Sequence, residues 1–326
     1  MSVARALSVV LAAGRSLSAS ERVVANSQSP IRREVFDAVR RGLLQAYIER
    51  TPSFAKAVVM LDDLKASAVY NDHVAFRSFV DSKGRSGLSW LLRFFTAFGY
   101  ARQDDVAIPG MPLNATWLEP PESTDWPKVF ISELRTSELP EETAAIIYRH
   151  VDGFYDLQRM EAALKECSPE KLVALLERLP FAPTAAEEAK VREVSEYGAW
   201  TLTHGHRFNH ATILLNGLSL EKEGISSLAS LNELLRRADF MMVPASGADG
   251  YTQGSRSLSL EQSSTVADKQ PMTFACGTVR EVPCSFLELI HRHDGFRGFL
   301  GQNAKGIFTS TDQSRSLEAQ AAPAAM

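Results

Sequence analysis

Two short stretches of this chain, NDHVAF at 71–76 and FNHATI at 208–213, constrain the fold more than any other feature. Each sets a histidine among aromatic, β-branched and small apolar residues, a composition that is typical of a strand. Each stretch also opens a segment of strand, helix and further strands, at 69–135 and 200–300. The pattern therefore indicates weak internal symmetry, although a match of a few residues also arises by chance.

The region between these two segments, 137–198, is predicted to be helical. The stretch PEETAAIIYRHV begins with Pro140 and two acidic residues, which suit the first turn of a helix. A second stretch repeats this pattern, with Ser168 as N-cap and Pro169 at the first helical position. Residues 31–66 also show helical spacing of apolar residues. The chain is therefore predicted to mix two α/β modules with a helical insertion.

The composition excludes several classes of function. The chain has 326 residues and a formal net charge of −4, and it contains no basic stripe that would predict nucleic-acid binding. No apolar run reaches the length of a transmembrane helix, so no membrane partner is expected. Its three cysteines form no CxxC pair, and their odd number favours a reducing compartment. The nucleotide-binding and hydrolase motifs GxGxxG, GxxxxGK[ST], GxSxG and HExxH are also missing from the sequence.

The two ends of the chain are predicted to lie outside the catalytic domain. Residues 1–25 include Arg5, Arg15 and several serines, and no acidic residue occurs in the first twenty positions. This composition is typical of a transit peptide, and a poorly ordered terminus or an ordinary helix start is the alternative. A transit peptide would direct the protein to mitochondria or plastids, and without one a cytoplasmic location is expected. Residues 26–315 are predicted to form one catalytic domain, and 316–326 a disordered tail.

His73 and Arg77 are four residues apart on one predicted strand, so their side chains are expected on the same face. An imidazole and a guanidinium that project together into a sheet interior indicate a metal and an anionic substrate, because arginine binds carboxylates bidentately. An exposed strand face with two polar residues would explain the same pattern.

Three of the seven histidines fall within THGHRFNHAT, at 203–212. If a strand begins near Arg207, His210 lies inside its apolar run, whereas His204 and His206 fall in the turn before it. A chelating pair of His204 and His206 is one interpretation, but two histidines around a glycine are more typical of a loop. His210 is interpreted either as a metal ligand or as a buried histidine with satisfied hydrogen bonds.

Glu288 lies in the apolar stretch CSFLELIHR, where burial of a lone carboxylate is costly unless a cation balances it. A salt bridge to an arginine, or a strand edge that meets water, would also account for it. His291 and His293, which follow, are expected to be surface residues. Two histidines and one carboxylate on separate strands suit a facial triad that binds non-haem Fe(II). They equally suit a zinc site with one water, and spacing alone does not choose between these metals.

In the stretches that contain these residues, the chain resembles the 2-oxoadipate dioxygenase/decarboxylase family, which is similar to a divergent branch of the vicinal oxygen chelate superfamily. The similar stretches are DHVAFRSF, WLLRFFTAFGY, NATWLEPP, VFISEL, FNHAT and FLELIHR, which cover most of residues 35–310 in the expected order. The stretch GFLGQNAKGIF is also similar to a C-terminal stretch of hydroxyphenylpyruvate dioxygenase and hydroxymandelate synthase. The resemblance implies an α+β fold, a vicinal oxygen chelate-like β-sheet barrel of two βαβββ-type modules with a helical insertion.

The resemblance also implies a role for each matching residue. His73, His210 and Glu288 match the family's metal ligands, which makes Fe(II) the implied cofactor. Arg77 matches the arginine that binds the distal carboxylate of the substrate, so it is the implied catalytic residue and lines the substrate site with His73. Asn303 lies in the stretch that closes over the substrate and is an implied substrate contact.

The implied reactants are 2-oxoadipate and O2, and the implied products are 2-hydroxyglutarate and CO2, a step of lysine catabolism. Ala211 departs from the family's usual larger apolar residue, which leaves the exact substrate open. The oligomeric state is open as well. Two alternatives remain: a metal-dependent hydrolase or glyoxalase-like isomerase on the same fold, and a non-catalytic module that binds a small acid. Oxygen uptake distinguishes the dioxygenase from both.

Overall fold

The structure, a computed structural model, describes residues 2–13, 30–122 and 124–312. None of the helices in these ranges combines the length and the apolar character that crossing a bilayer requires. Part of the predicted leader, 14–25, and the predicted tail, 316–326, lie outside the described residues.

Three helices precede the sheet: α1 (Val3–Ala13), α2 (Pro30–Arg50) and α3 (Pro52–Asp63). The prediction of helix over 31–66 is confirmed, with a break at Thr51, whose φ of −127° and ψ of 72° are not helical. Pro52 causes the break, because proline disfavours the helical conformation of the residue before it. In α1, Ala6 and Val10 are buried in the core, and Arg5 pairs with two aspartates at the end of α3.

The first module consists of β1 (Asn71–Phe79), α4 (Gly87–Thr96), β2 (Ala101–Asp105), β3 (Leu113–Glu119) and β4 (Lys128–Leu134). Ser86 caps α4 by accepting a hydrogen bond from the backbone N–H of Ser89. The apolar stripe in SGLSWLLRFFTAFGY predicts a helix that ends at Gly99, but α4 ends three residues earlier, at Thr96. The stretch rich in proline and aspartate before NATWLEPP predicts a loop, but this prediction is wrong for residues 101–105, which form the edge strand β2.

The middle of the chain contains α5 (Glu141–Val151), α6 (Leu157–Glu166), α7 (Pro169–Glu177), α8 (Ala185–Val194) and α9 (Glu196–His204). Ser168 caps α7 with Pro169 at its first position, as predicted. The Ala/Glu-rich stretch TAAEEAKVREVSEYGAW, at 184–200, predicts one helix, but the helix is interrupted at Ser195, whose side chain caps α9. Because α9 continues to His204, the next strand begins at His210 and not near Arg207.

The second module consists of β5 (His210–Leu214), α10 (Leu228–Arg237), β6 (Gln253–Ser255), β7 (Leu260–Ser264), β8 (Lys269–Thr273), β9 (Val279–Pro283) and β10 (Phe286–Arg292). A last helix, α11 (Gly301–Ile307), follows. The apolar stretch DFMMVPA, at 239–245, predicts a strand, but this prediction is wrong, since only an isolated bridge between Met242 and Thr265 forms there. Strands β6 and β7 were not predicted, because their sequence is rich in serine and lacks apolar alternation.

Eight strands form one sheet in the order β2-β3-β4-β1-β5-β10-β7-β6, and β8 and β9 form a separate hairpin. The order is symmetric about its centre. Strand β1 pairs in parallel with β4, and β5 pairs in parallel with β10. The two modules join where β1 and β5 pair antiparallel, with Ala75 opposite His210. The fold is α+β, with a curled half-barrel sheet built from two βαβββ-type modules.

The alternation of side chains on β1 separates a helical face from a site-bearing face. Phe76 packs against Phe95 of α4, with ring centroids 5.2 Å apart. His73 and Arg77 therefore project from the opposite face, where α9, α11 and the turn after α11 cover the sheet.

Candidate metal centre

Three side chains from the middle of the sheet converge on one point. His73 lies on β1, His210 on β5 and Glu288 on β10. The Nε2 atoms of His73 and His210 lie 3.3 Å and 2.8 Å from Oε2 of Glu288. All three residues are buried, and one potential ligand atom of each lies within 4.8 Å of the others. The structure thus brings together the three residues that the sequence proposes as metal ligands.

Each imidazole is oriented by the residue before it in the chain. His73 Nδ1 lies 2.8 Å from Oδ2 of Asp72, and His210 Nδ1 lies 3.1 Å from Oδ1 of Asn209. An imidazole that donates from Nδ1 keeps a free lone pair on Nε2, which fixes its tautomer and its direction. Both Nε2 atoms therefore face the carboxylate of Glu288, where a proton or a metal ion would lie between nitrogen and oxygen.

Asp72 is itself held by Arg292, near the end of β10. The guanidinium Nε and Nη2 atoms donate to the two carboxylate oxygens of Asp72, both at 2.8 Å. Burial alone would raise the pKa of Asp72, but the charge of Arg292 and the neighbouring His73 hold that pKa well below its usual range. The ionised Asp72 is therefore a strong acceptor for the Nδ1 proton of His73.

Glu288 is fully buried and remains ionised. Burial opposes ionisation, but the imidazoles of His73 and His210 lower the pKa of Glu288 well below its usual value. Gln262 donates a hydrogen bond to Oε1, and Oγ1 of Thr212 lies 3.3 Å from Oε2. Burial lowers the pKa of His210, which favours the neutral form that binds metals.

This donor set fits a divalent transition metal. Two imidazole nitrogens and one carboxylate oxygen converge in a buried site, and each has a second partner that orients it. Such partners are typical of metal centres in proteins. Two histidines and a carboxylate suit non-haem Fe(II), and they suit zinc as well.

A small cavity of about 20 Å³ adjoins the three side chains. Its walls are mainly apolar, and the additional lining residues are Phe130, Gln262, Phe299, Ala304, Ile307 and Phe308. The volume accommodates about one water molecule and is too small for a six-carbon acid. Four of the lining residues belong to residues 299–308, so this segment closes the site.

Arg77 lies on the same face of β1 as His73, and its side chain is 1% exposed. Its Nη2 donates to Oγ1 of Thr311 at 3.1 Å, and its Nη1 lies 3.5 Å from Oε2 of Glu196. The guanidinium also lies 5.3 Å from the ring centroid of Phe308, which lines the cavity. Arg77 is thus adjacent to the site, with Phe308 between it and the cavity.

The other histidines of THGHRFNHAT are buried away from the centre. His204 hydrogen-bonds the carbonyl of Pro283 through Nε2 at 2.8 Å, and His206 hydrogen-bonds the carbonyl of Arg77 through Nδ1 at 3.0 Å. Burial lowers the pKa of His204 to about 3 and that of His206 to about 4. Both are therefore neutral and buried. His204 is the last residue of α9, whereas His206 lies in the turn before β5, where the sequence predicts it.

Asn303 is also buried, but it is not among the residues that line the cavity. Its amide packs on Gly254, where an added Cβ would lie 2.6 Å from the side-chain nitrogen of Asn303. The structure therefore does not bring Asn303 to the three converging side chains.

Sequence reasoning missed the residues that support the three converging side chains. Asp72 and Asn209 each directly precede a histidine, so their adjacency was a usable signal. Arg292 is four residues after Glu288 on the same face of β10, which was also visible. Gln262 carried no such signal, because β7 itself was not predicted.

Comparisons with known proteins agree on one family. The family model HGLS, 2-oxoadipate dioxygenase/decarboxylase, matches residues 39–293. The chloroplastic 2-oxoadipate dioxygenase/decarboxylase of Arabidopsis thaliana is 29% identical over 345 residues, which cover 95% of this chain and 87% of that protein. The crystal structure of hydroxyglutarate synthase from Oryza sativa, in complex with 2-oxoadipate, matches with a TM-score of 0.76 and 25% identity. That match covers 93% of this chain and 100% of the rice chain.

A more distant structure, a Ralstonia eutropha JMP134 protein named for the glyoxalase superfamily, shares the fold. It matches with a TM-score of 0.64 at 19% identity, over 91% of this chain and 98% of that one. At this identity the likeness extends to the fold alone.

Proposed function

The chain belongs to the 2-oxoadipate dioxygenase/decarboxylase family, and we propose that it uses Fe(II) and O2 to convert 2-oxoadipate to 2-hydroxyglutarate and CO2 in lysine catabolism. The observation that carries this proposal is the buried convergence of His73, His210 and Glu288. The rice relative, whose crystal structure contains 2-oxoadipate, supports the choice of substrate. Residues 26–315 act as one catalytic domain in this proposal.

Fe(II) bound by His73, His210 and Glu288 would supply the redox chemistry through which O2 reacts with a 2-oxo acid. The protein's own contribution is to orient these ligands. Asp72 and Asn209 hold the Nδ1 protons of the two imidazoles, so that both Nε2 atoms remain available.

In this proposal Arg77 binds the distal carboxylate of the substrate and so selects a dicarboxylate of a given length. Its guanidinium has spare capacity, because Nε is buried without a hydrogen-bond partner and the contact to Glu196 is long, at 3.5 Å. A carboxylate that reaches this guanidinium gains bidentate, charge-assisted hydrogen bonds in a dry environment. Holding the far end of the substrate also orients its keto acid end for reaction.

Substrate entry requires the 299–308 segment to move, since the cavity is smaller than the substrate. In this proposal Phe308 leaves its position beside Arg77, and Asn303 leaves Gly254 and contacts the substrate. When the segment returns, the aromatic rings of Phe130, Phe299 and Phe308 exclude water from the reacting atoms.

For the cellular location, we propose a plastid or a mitochondrion. The Arabidopsis relative is described as chloroplastic, and the N-terminal composition of this chain is consistent with a transit peptide. Mass determination of the protein purified from its own cells would establish where the mature chain begins. A mature chain that retains Met1 would contradict this part of the proposal.

Oxygen uptake by protein loaded anaerobically with Fe(II) tests the proposed reaction. The panel contains 2-oxoadipate, the shorter 2-oxoglutarate, and 2-oxohexanoate, which has the length of 2-oxoadipate without its distal carboxylate. We expect uptake coupled to CO2 release with 2-oxoadipate and much weaker uptake with 2-oxohexanoate, because only the dicarboxylate can bind Arg77. A hydrolase or isomerase would form product without consuming O2, and a binding module would form none. Either outcome would rule out the dioxygenase.

A further inference from the structure

We propose that Glu261, His291 and His293 form a second metal site, which takes a borderline divalent ion such as Zn²⁺. It lies on the outer face of β7 and β10, the face opposite the triad of His73, His210 and Glu288. The proposal rests on residues outside that triad and does not depend on the proposed function.

The three side chains meet at a strand pair. Glu261 on β7 is directly opposite His291 on β10, and His293 follows the end of β10. Oε2 of Glu261 lies 2.9 Å from Nε2 of His293 and 3.5 Å from Nδ1 of His291. Around one tetrahedral zinc ion, nitrogen and oxygen ligands are roughly 3.3 Å apart, given metal–ligand bonds of about 2.0–2.1 Å. Both distances from Glu261 therefore lie within a few tenths of an ångström of the separation that a shared zinc ion requires.

The second site repeats the dimensions of the first. In the triad, the two imidazole nitrogens lie 2.8 Å and 3.3 Å from the carboxylate oxygen, against 2.9 Å and 3.5 Å here. In both sets, one potential ligand atom of each residue lies within 4.8 Å of the others. Two imidazoles with a carboxylate are a donor set for transition metals and not for Mg²⁺, which prefers oxygen ligands.

An unsatisfied atom points to a ligand at this position. Nδ1 of His291 is buried and has no hydrogen-bond partner, although a carboxylate oxygen lies 3.5 Å away. The ring centroids of His291 and His293 are only 4.0 Å apart. At this distance two protonated imidazoles would repel each other, which disfavours protonation of both. Burial and the neighbouring His293 lower the pKa of His291, so it offers the neutral form that binds metals. The positive charge of Arg256 also acts on His291, and Glu261 opposes it.

The strand geometry separates the two sites and links them mechanically. On β10, Glu288 and Arg292 face the triad, whereas His291 faces outward, because side chains alternate along a strand. Arg292 stands between His291 and His293 in the chain and holds Asp72, which orients His73. A metal bound by both outer histidines would therefore fix the backbone on either side of Arg292.

Metal content per chain tests the proposal directly. Tag-free protein is stripped with a chelator, loaded with micromolar Zn²⁺, desalted and analysed for zinc by mass spectrometry. We expect about two ions per wild-type chain, about one in His293→Ala and Glu261→Gln, and about one in His210→Ala. The double variant His210→Ala/His293→Ala should retain almost none. Loading with Mg²⁺ should leave no bound ion at the outer site.

A matched control comes from His150, which pairs with Glu187 at 3.4 Å but has no second histidine beside it. His150→Ala should keep the wild-type zinc content. An unchanged zinc count in both His293→Ala and Glu261→Gln, or occupancy only at millimolar Zn²⁺, would overturn the proposal. Circular dichroism shows whether either outer-site variant has lost its fold. If one has, the zinc content of the other variant tests the proposal.

The same variants separate this proposal from the proposed function. Fe(II)-loaded His293→Ala should consume O2 with 2-oxoadipate, because it retains the triad. If no form of the protein consumes O2 while zinc still falls from two ions to one in His293→Ala, the second site stands and the proposed reaction fails.

Discussion

Strands β1 and β5 lie side by side at the centre of the sheet and belong to corresponding positions of the two modules. Each carries one histidine whose Nδ1 contacts the residue before it, Asp72 on β1 and Asn209 directly before β5. The contact differs in charge, since Asp72 is paired with Arg292, whereas Asn209 is neutral. The duplicated scaffold thus supplies two similar candidate ligands, and each module orients its histidine differently.

The neighbouring strands β4 and β10 differ more. Glu288 on β10 pairs with the residue two positions after His210, and Phe130 on β4 pairs with the residue two positions after His73. Corresponding positions thus carry the buried carboxylate in one module and an aromatic wall of the cavity in the other. Four residues beyond each histidine, β1 has Arg77 and β5 has Leu214. Symmetric backbones therefore present an asymmetric site, with the carboxylate from one module and the guanidinium from the other.

The substitution Arg77→Leu gives β1 the residue that β5 has at the corresponding position, Leu214. We expect it to have the largest effect on activity. We expect kcat/KM for 2-oxoadipate to fall on the order of 10²–10³-fold, because the distal carboxylate loses a buried, charged partner. The iron content should stay at the wild-type value, since Arg77 is not a ligand. The activity with 2-oxohexanoate serves as the control and should hardly change. An equal loss of iron and activity would show that Arg77 only supports the fold.

The substitution Asn209→Asp gives the residue before His210 the charge that Asp72 has before His73. We expect it to destabilise the protein. The side chain is 1% exposed, and its hydrogen bond in the described part of the chain is to His210, without a guanidinium like that of Arg292. A buried carboxylate without a cationic partner costs about 3 kcal/mol. Urea denaturation measures this as a lower free energy of unfolding. A loss below about 1 kcal/mol would mean that His210 compensates the charge and that the two strands are interchangeable.

The reverse exchange, Asp72→Asn, should weaken metal binding without unfolding the chain. The imidazole of His73 loses a charged acceptor, and a change of this kind typically costs about 10–100-fold in metal affinity. Competition with a chelator measures the affinity for Fe(II). Asp105→Asn, which alters an exposed carboxylate paired with Arg102, is the control and should leave the affinity unchanged. Wild-type affinity in Asp72→Asn would show that the contact between Asp72 and His73 has no role in binding.

We expect the smallest effect from His206, in the turn that leads into β5, where a substitution should change how stability depends on pH. His206 is buried and its pKa is lowered to about 4, so it takes up its proton only on unfolding when the pH lies between about 4 and 6.5. Stability should therefore fall as the pH decreases through this window, by about 1.4 kcal/mol per pH unit for this one group. In His206→Asn, urea midpoints at pH 6 and pH 5 should differ less than in the wild type. An unchanged difference would show that His206 is protonated in the folded state.

The sequence predicted the elements whose patterns are local. Strands β1, β5 and β10 each set a histidine or a glutamate among apolar residues, and this pattern identified His73, His210 and Glu288. Strand β7 was missed because its site-facing residues, Gln262 and Ser264, are polar and remove the apolar alternation on which such predictions depend. Strand β2 was missed because it is an exposed edge without a buried face.

Contacts between distant parts of the chain could not be predicted. Asp72 and Arg292 are 220 residues apart, and only the pairing of β1, β5 and β10 brings them together. The closure of the cavity by residues 299–308 likewise depends on where α11 packs. Hydrophobic periodicity indicates which face of a helix or strand is buried, but not which residues from distant parts of the chain pack against that face.

The central claim is that ligands from both modules hold one iron ion. The direct test is the iron content after anaerobic Fe(II) loading and desalting, in a His293→Ala background that removes the proposed outer site. The account predicts about one iron per chain with His73, His210 and Glu288 intact, and almost none, with no O2 uptake, when His210→Ala is added. Full iron content and full O2 uptake in the His210→Ala protein would contradict it.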